Sequence, residues 1–202
     1  MIKLVQVNIF TLLLGVALIL EMTACNQQKS AVKFNATDIT GADFGKDFQL
    51  TDHNGKSKTL ADFKGKAVVM FFGYTHCPDV CPTTMSDMAQ ALELLGKDAE
   101  KVQVLFVTID PARDTQELLA KYVPAFNPGF LGLYGDEAAT AKVAKDFRIF
   151  YQKNQDKNGQ GYSVDHTAGT YVFDPSGRLR LFMSYGQGAQ SIVHDLHELL
   201  NS

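Results

Sequence analysis

The chain has 202 residues, 46% of them hydrophobic and 20% charged, so it can fill a core of single-domain size and is not a disordered polymer. Its formal net charge is −3 and it has no basic run, which excludes phosphate-backbone binding as its main activity and leaves no nucleic-acid partner. Three cysteines, Cys25, Cys77 and Cys81, are too few and too odd in number for a disulfide-stapled scaffold, so each needs its own explanation.

In chain order, residues 1–24 read as a lipoprotein-type signal peptide. Lys3 supplies the positive end, and the apolar run 7–20 falls short of the ~20 residues that a membrane span needs. Thr23 and Ala24 then place small residues before Cys25, the pattern of a bacterial lipoprotein processing site, with Met22 where Leu is commoner. Cleavage there leaves Cys25 as a lipidated N-terminus. The expected location is therefore the bacterial cell envelope, with a membrane-anchored domain facing the periplasm. Residues 25–42 are polar and mixed, the composition of a tether, and the folded domain is assigned to residues 43–202.

Asn54-Gly55 marks the turn of a hairpin over residues 48–60. The continuous apolar run 67–72 predicts a strand buried on both faces. Cys81, Met85, Met88, Leu92 and Leu95 recur at helical spacing until Gly96 stops the pattern. A second buried strand covers 102–109, and Asp114 with Glu117 has the spacing of a capping box opening a helix that Pro124 ends. A short strand at 130–134 and a helix at 136–147 follow. Residues 149–162 read as an inserted hairpin with a polar tip. Strands at 170–173 and 179–184 flank the turn Pro175-Ser176-Gly177, and an amphipathic helix spans 190–200. This order predicts an α/β domain: a central mixed sheet with helices on both faces, an N-terminal hairpin, and an inserted hairpin before the last strands.

The segment Cys77-Pro78-Asp79-Val80-Cys81 falls where a buried strand passes into a helix, at the carboxyl end of a parallel sheet, where α/β folds place their sites. The first turn of a helix offers free N–H groups and positive potential, which favour a thiolate. Positions i and i+4 share one helix face, so the two sulfurs can converge, either to close a disulfide or to grip a soft metal. Two thiolates suit Cu(I), and an added imidazole would complete a trigonal set. Of five histidines, His53 sits in the hairpin turn and reads as solvated. His194 and His197 lie on the outer side of the last helix, and His76 is expected to point away from Cys77. His166, after the inserted hairpin and just before the strand at 170, is the best candidate for a third donor.

Several neighbours invite decoy readings. Met85 and Met88 share the face of Cys81, but methionine at helical spacing belongs to a core. Asn154, Asp156, Asn158, Gly159 and Asp165 match an EF-hand loop, yet β-like sequence flanks them where helices are required, so they read as a hairpin tip. Asp165 is expected to orient His166, and Asp110 to pair with Arg113 beside the site.

The run Phe72-Gly73-Tyr74-Thr75-His76-Cys77-Pro78-Asp79-Val80-Cys81-Pro82-Thr83 resembles the signature of the Sco/SenC family of copper-handling, thioredoxin-like proteins. Residues 107–115 (VTIDPARDT) resemble its second motif, and Asp165-His166-Thr167 followed by Tyr171-Val172-Phe173-Asp174 its third. Gln116 departs from the second motif, where Pro is usual, and Ala168 stands where ordinary thioredoxins carry a cis-proline. The resemblance implies a thioredoxin-like fold with Cys77, Cys81 and His166 as ligands of a copper ion. Cu(I) is the natural occupant, and Cu(II) would need further oxygen or nitrogen donors. It implies a metallochaperone that supplies the binuclear copper centre of cytochrome c oxidase subunit II, or another copper acceptor. It also admits a thiol–disulfide reductase, in which Cys77 and Cys81 are the catalytic redox pair and cycle between dithiol and disulfide.

Overall fold

Val68, Met70 and Phe72 point to one side of an extended chain and Val69, Phe71 and Gly73 to the other, and every one of them is buried. A strand of this kind must be covered on both faces. In the computed structural model, which describes residues 32–156, 158–159 and 161–202, this strand is β4 (Ala67–Gly73) at the centre of an eight-stranded sheet. The remaining strands are β1 (Thr37–Asp38), β2 (Gln49–Asp52), β3 (Ser57–Thr59), β5 (Val102–Thr108), β6 (Leu131–Tyr134), β7 (Tyr151–Gln155), β8 (Tyr162–His166), β9 (Thr170–Phe173) and β10 (Leu179–Met183). The helices are α1 (Val80–Leu95), α2 (Gln116–Tyr122), α3 (Glu137–Asp146) and α4 (Gly188–Leu200).

The sheet order is β1-β10-β9-β4-β5-β6-β2-β3. Strands β4, β5 and β6 run parallel, while β9 lies antiparallel against the other edge of β4. The sheet is therefore mixed, as expected. On the face of Phe71, Gly73 and Phe106 lies Cys81 of α1, and Leu119 and Val123, from α2 and its C-terminal end, close over Gly132. Helix α4 packs on α1. On the opposite face Phe147, at the end of α3, stacks on Phe72 with ring centroids 5.4 Å apart. Helices thus cover both faces, and the hairpin β2–β3 extends the sheet by pairing with β6. The inserted hairpin β7–β8 forms a two-stranded sheet of its own, and His166, opposite Tyr151, is its last residue.

Two expectations need correction. Residues 33–42 are not a free tether: β1 pairs with β10, Ala36 is buried, and the buried carboxylate of Asp195 accepts the N–H groups of Asn35 and Ala36 at 2.7 Å each. The unit Lys33–Ser202 takes in these residues, so they belong with the domain assigned to 43–202; backbone pairing along a sheet edge leaves no trace in polar composition. The second correction concerns α2, whose N-cap is Thr115, accepting from Leu118 N–H at 3.3 Å, whereas Asp114 turns inward. Residues 1–24 and Cys25 lie outside the described residues. Among the described residues no helix is long and apolar enough to cross a membrane.

Candidate metal centre

Strand β4 ends at Gly73 and α1 begins at Val80, so Cys77 sits in the connecting turn, where its N–H donates to the Tyr74 carbonyl at 3.2 Å. The two cysteines are therefore not stacked one turn apart on a helix, as the spacing suggested. They are brought together because the Sγ of Cys77 accepts the N–H of Cys81 at 3.4 Å. That N–H is one of the first-turn donors that a helix leaves without a partner, and the N-cap Asp79 makes no side-chain cap of its own. Cys77 is half-buried, Cys81 is fully buried, and both are free thiols in this structure.

The electrostatics of Cys81 also differ from expectation. Burial pushes its thiol far above the ordinary range, and the neighbouring Cys77 pushes in the same direction. A backbone hydrogen bond at Tyr74 pulls the other way without offsetting the burial. A thiol in this setting keeps its proton until a cation replaces it, since coordination by a metal deprotonates a thiol outright. Room for the sulfur comes from Gly73. A Cβ there would stand 2.9 Å from Cys81 Sγ, 2.8 Å from Phe71 and 3.0 Å from Phe106.

His166 reaches the same spot from the hairpin. Its Nε2 lies 3.8 Å from Cys81 Sγ, although the two residues are 85 apart in sequence. Its Nδ1 is 3.0 Å from the Thr167 carbonyl oxygen, which can only accept, so that bond puts the proton on Nδ1 and the lone pair on Nε2, facing the sulfur. Burial lowers the pKa of the imidazole, which keeps it neutral and able to ligate. Phe71 and Tyr74 meet the ring edge-on, with centroids 6.3 and 6.0 Å away. Sulfur and nitrogen ligands at about 2.3 and 2.0 Å from one ion, at tetrahedral or trigonal angles, stand about 3.5–3.7 Å apart. Cys81 and His166 are within a few tenths of an ångström of that separation. Among the described residues no three Cys, His, Asp or Glu groups converge tightly enough to enclose an ion. Cys77 Sγ is held on the Cys81 N–H.

Other expected roles resolve as follows. Asp165 is exposed, bonded to Asn154 at 2.7 Å, and lies off the His166 side of β8, so the Thr167 carbonyl orients the imidazole instead. The calcium-like spacing is a hairpin, as read. Met85 and Met88 are core residues. His53 is buried rather than solvated, and its Nδ1 accepts the Gly132 N–H at 3.0 Å. His194 is half exposed and touches Asp195, and His197 is exposed. His76 lies on the solvent side of the turn. Asp110 does pair with Arg113.

Asp114 was missed. Fully buried, it accepts from Thr75 N–H at 3.0 Å, Thr75 Oγ1 at 2.6 Å and Thr108 Oγ1 at 2.7 Å, and so fastens the turn that carries Cys77 to the end of β5. Its neighbourhood in the 107–115 motif was the available signal. Gly73, inside the 72–83 motif, was the other.

The SCO1/SenC family model matches residues 36–201. The mitochondrial SCO2 homologue of Bos taurus is 38% identical over 149 residues, 73% of this chain and 56% of that protein. This chain thus spans little more than half the length of that curated relative. Among solved structures, Bradyrhizobium japonicum ScoI with copper bound is 42% identical with a TM-score of 0.71, covering 78% of this chain and 99% of that one. The apo Sco1 protein from Thermus thermophilus is 41% identical with a TM-score of 0.75, covering 85% and 99%.

Proposed function

The chain belongs to the SCO1/SenC family and has its thioredoxin-like fold, and from that premise we propose that it is a copper metallochaperone in which Cys77, Cys81 and His166 hold the ion. The observation that carries this reading is the approach of His166 Nε2, lone pair foremost, to the buried sulfur of Cys81 at 3.8 Å. Two thiolates and an imidazole form a soft, low-coordinate set suited to Cu(I). Each residue has a distinct task. Cys81 is the buried anchor, His166 the neutral donor with its tautomer set by Thr167, and Cys77 the half-buried ligand that a thiol of an acceptor can displace. Handing the ion over by ligand exchange needs one such reachable ligand. The acceptor proposed is the binuclear copper centre of cytochrome c oxidase subunit II. Cys25 is proposed as a lipid anchor that keeps the domain at the periplasmic side of a bacterial membrane.

The test is competition of the reduced full chain against a chromophoric Cu(I) chelator. One copper per chain is expected. Removing a ligand costs at least as much as removing an outer hydrogen-bond partner, so His166→Ala should weaken binding by about tenfold or more. Unchanged affinity in that variant overturns the reading.

A thiol–disulfide reductase is the second reading, favoured by the pairing of a reachable Cys77 with a buried Cys81. The Cys77 thiolate would attack a target disulfide, forming a mixed disulfide and releasing one target thiolate. Cys81, deprotonating, would then attack Cys77 Sγ, leaving a Cys77–Cys81 disulfide and a target dithiol, so two electrons pass from chain to target. His166 has no part in that sequence. Full reductase turnover together with intact copper binding in His166→Ala would favour it over the chaperone.

A further inference from the structure

We infer that Arg113 is a positioning residue for His166, pinning the β7–β8 hairpin to the main sheet and so setting where the imidazole stands relative to Cys81. The inference rests on the reading of His166 as a copper ligand. The hairpin needs such a fastener because it shares no strand pairing with the eight-stranded sheet, yet it carries one member of a site whose other members lie on α1 and in the turn that joins β4 to it.

Arg113, in the turn that follows β5, reaches the first residue of β8. Its Nε donates to the buried carboxylate of Asp110, and its Nη1 donates to the Tyr162 carbonyl at 2.8 Å. The guanidinium lies over the Tyr162 ring, 3.6 Å from the centroid, and 5.6 Å from the centroid of Tyr74. The Tyr162 hydroxyl closes the circuit by donating to Asp110 at 2.8 Å, and Lys153 of β7 lies 3.8 Å from the same carboxylate. One arginine is thus bonded to the sheet end through Asp110 and to the hairpin through both the backbone and the ring of Tyr162. Its Nη2 is buried without a hydrogen-bond partner among the described residues. The stack and the two other nitrogens dictate the plane of the group, and the third is left over.

The same contacts lead to the imidazole. Tyr162 opens β8 and His166 closes it, and an extended strand transmits the position of one end to the other. Midway, Val164 N–H donates to the Tyr74 hydroxyl at 3.3 Å, and the Tyr74 ring meets His166 edge-on. Beyond His166, the bonds between Thr167 and Phe150 close the base of the hairpin on itself and add no tie to the sheet. A lysine at 113 would keep the charge but lose the fork and the stack.

The experiment is a two-by-two comparison of Cu(I) affinity in the full chain. It measures competition with a chromophoric chelator for the unsubstituted chain, Arg113→Met, His166→Ala and the double variant. Arg113→Met should weaken binding by about tenfold, the effect typical of an outer partner that orients a ligand, and by less than about twofold once His166 is absent. Tyr162→Phe, which loses only the hydroxyl bond to Asp110 and keeps the ring, should weaken binding less than Arg113→Met and likewise only when His166 is present. This milder variant carries the test if Arg113→Met fails to fold. Equal losses with and without His166 would show a general effect on the fold and overturn the inference, as would no loss at all. If His166→Ala alone binds copper normally, the chaperone reading falls and the inference falls with it. Intact dependence on His166 without dependence on Arg113 or Tyr162 sinks only the inference.

Discussion

Gly73→Ala is the sharpest steric probe of the site. Gly73 does not adopt a positive φ, so an added methyl meets no backbone strain, and its effect comes from crowding alone. The new Cβ would meet Phe71 at 2.8 Å, Cys81 Sγ at 2.9 Å and Phe106 at 3.0 Å, three groups in a fully buried layer. Ordinary contact begins near 3.4 Å, so the sulfur and both rings must each retreat by about half an ångström, the scale of misfit that overpacking converts into about 1–3 kcal/mol. With a urea slope of about 2 kcal/mol/M, the unfolding midpoint should fall by about 0.5–1.5 M. Because Cys81 Sγ is displaced relative to His166, Cu(I) affinity should fall as well. Cys81→Ala removes one of the three clashes, so the stabilities of the two substitutions should couple by about 0.5 kcal/mol or more. Urea unfolding of the two single variants and the double variant provides the assay. An unchanged midpoint for Gly73→Ala, or strict additivity with Cys81→Ala, would refute the close packing of Cys81 on Gly73.

The remaining expectations concern the frame of the site. Asp114→Ala deprives Thr75 N–H, Thr75 Oγ1 and Thr108 Oγ1 of their acceptor and should cost about 3 kcal/mol in denaturant unfolding, while a loss below about 0.5 kcal/mol would contradict its role. Only a neutral His53 ring can accept the Gly132 N–H, and burial lowers its folded pKa below 6.5. The unfolded chain therefore takes up that proton first, so the stabilisation is complete above pH 6.5 and is lost as the pH falls below it. Urea midpoints at pH 7.5 and 5.5 should draw together in His53→Gln compared with the unsubstituted chain, and parallel behaviour would contradict the assignment. Asp195→Ala should release Asn35 and Ala36, seen as amide exchange at those two positions faster by about tenfold or more with little change across β4 and β5.

The element order was legible because burial on both faces writes itself as apolar runs, at 67–72 and 104–107, and because Gly96 and Asn54-Gly55 punctuate the chain locally. What stayed hidden depends on partners far away in sequence. His53 looks like a solvated turn residue until Gly132, 79 positions on, supplies its bond. The edge strand β1 is two residues of polar sequence held by backbone pairing and by Asp195, 159 positions from Ala36. At the site, spacing singles out Cys77, Cys81 and His166 as candidates, and in the structure Cys81 touches both of the others, but by a local arrangement other than the expected one. Helical stacking was expected, and a sulfur accepting a helix N–H was found. A helix terminus favours thiolate, whereas the Cys81 thiol is pushed up by its burial. Thr167 rather than Asp165 sets the imidazole because strand alternation turns Asp165 outward, a fact available only once His166 is known to end β8.

The central claim is that one imidazole and two thiols share a single ion. Copper K-edge X-ray absorption of the reduced, Cu(I)-loaded full chain tests it most directly. Two sulfurs and one nitrogen are expected around the copper, with the nitrogen lost in His166→Ala. A shell of two sulfurs alone, unchanged by that substitution, would contradict it.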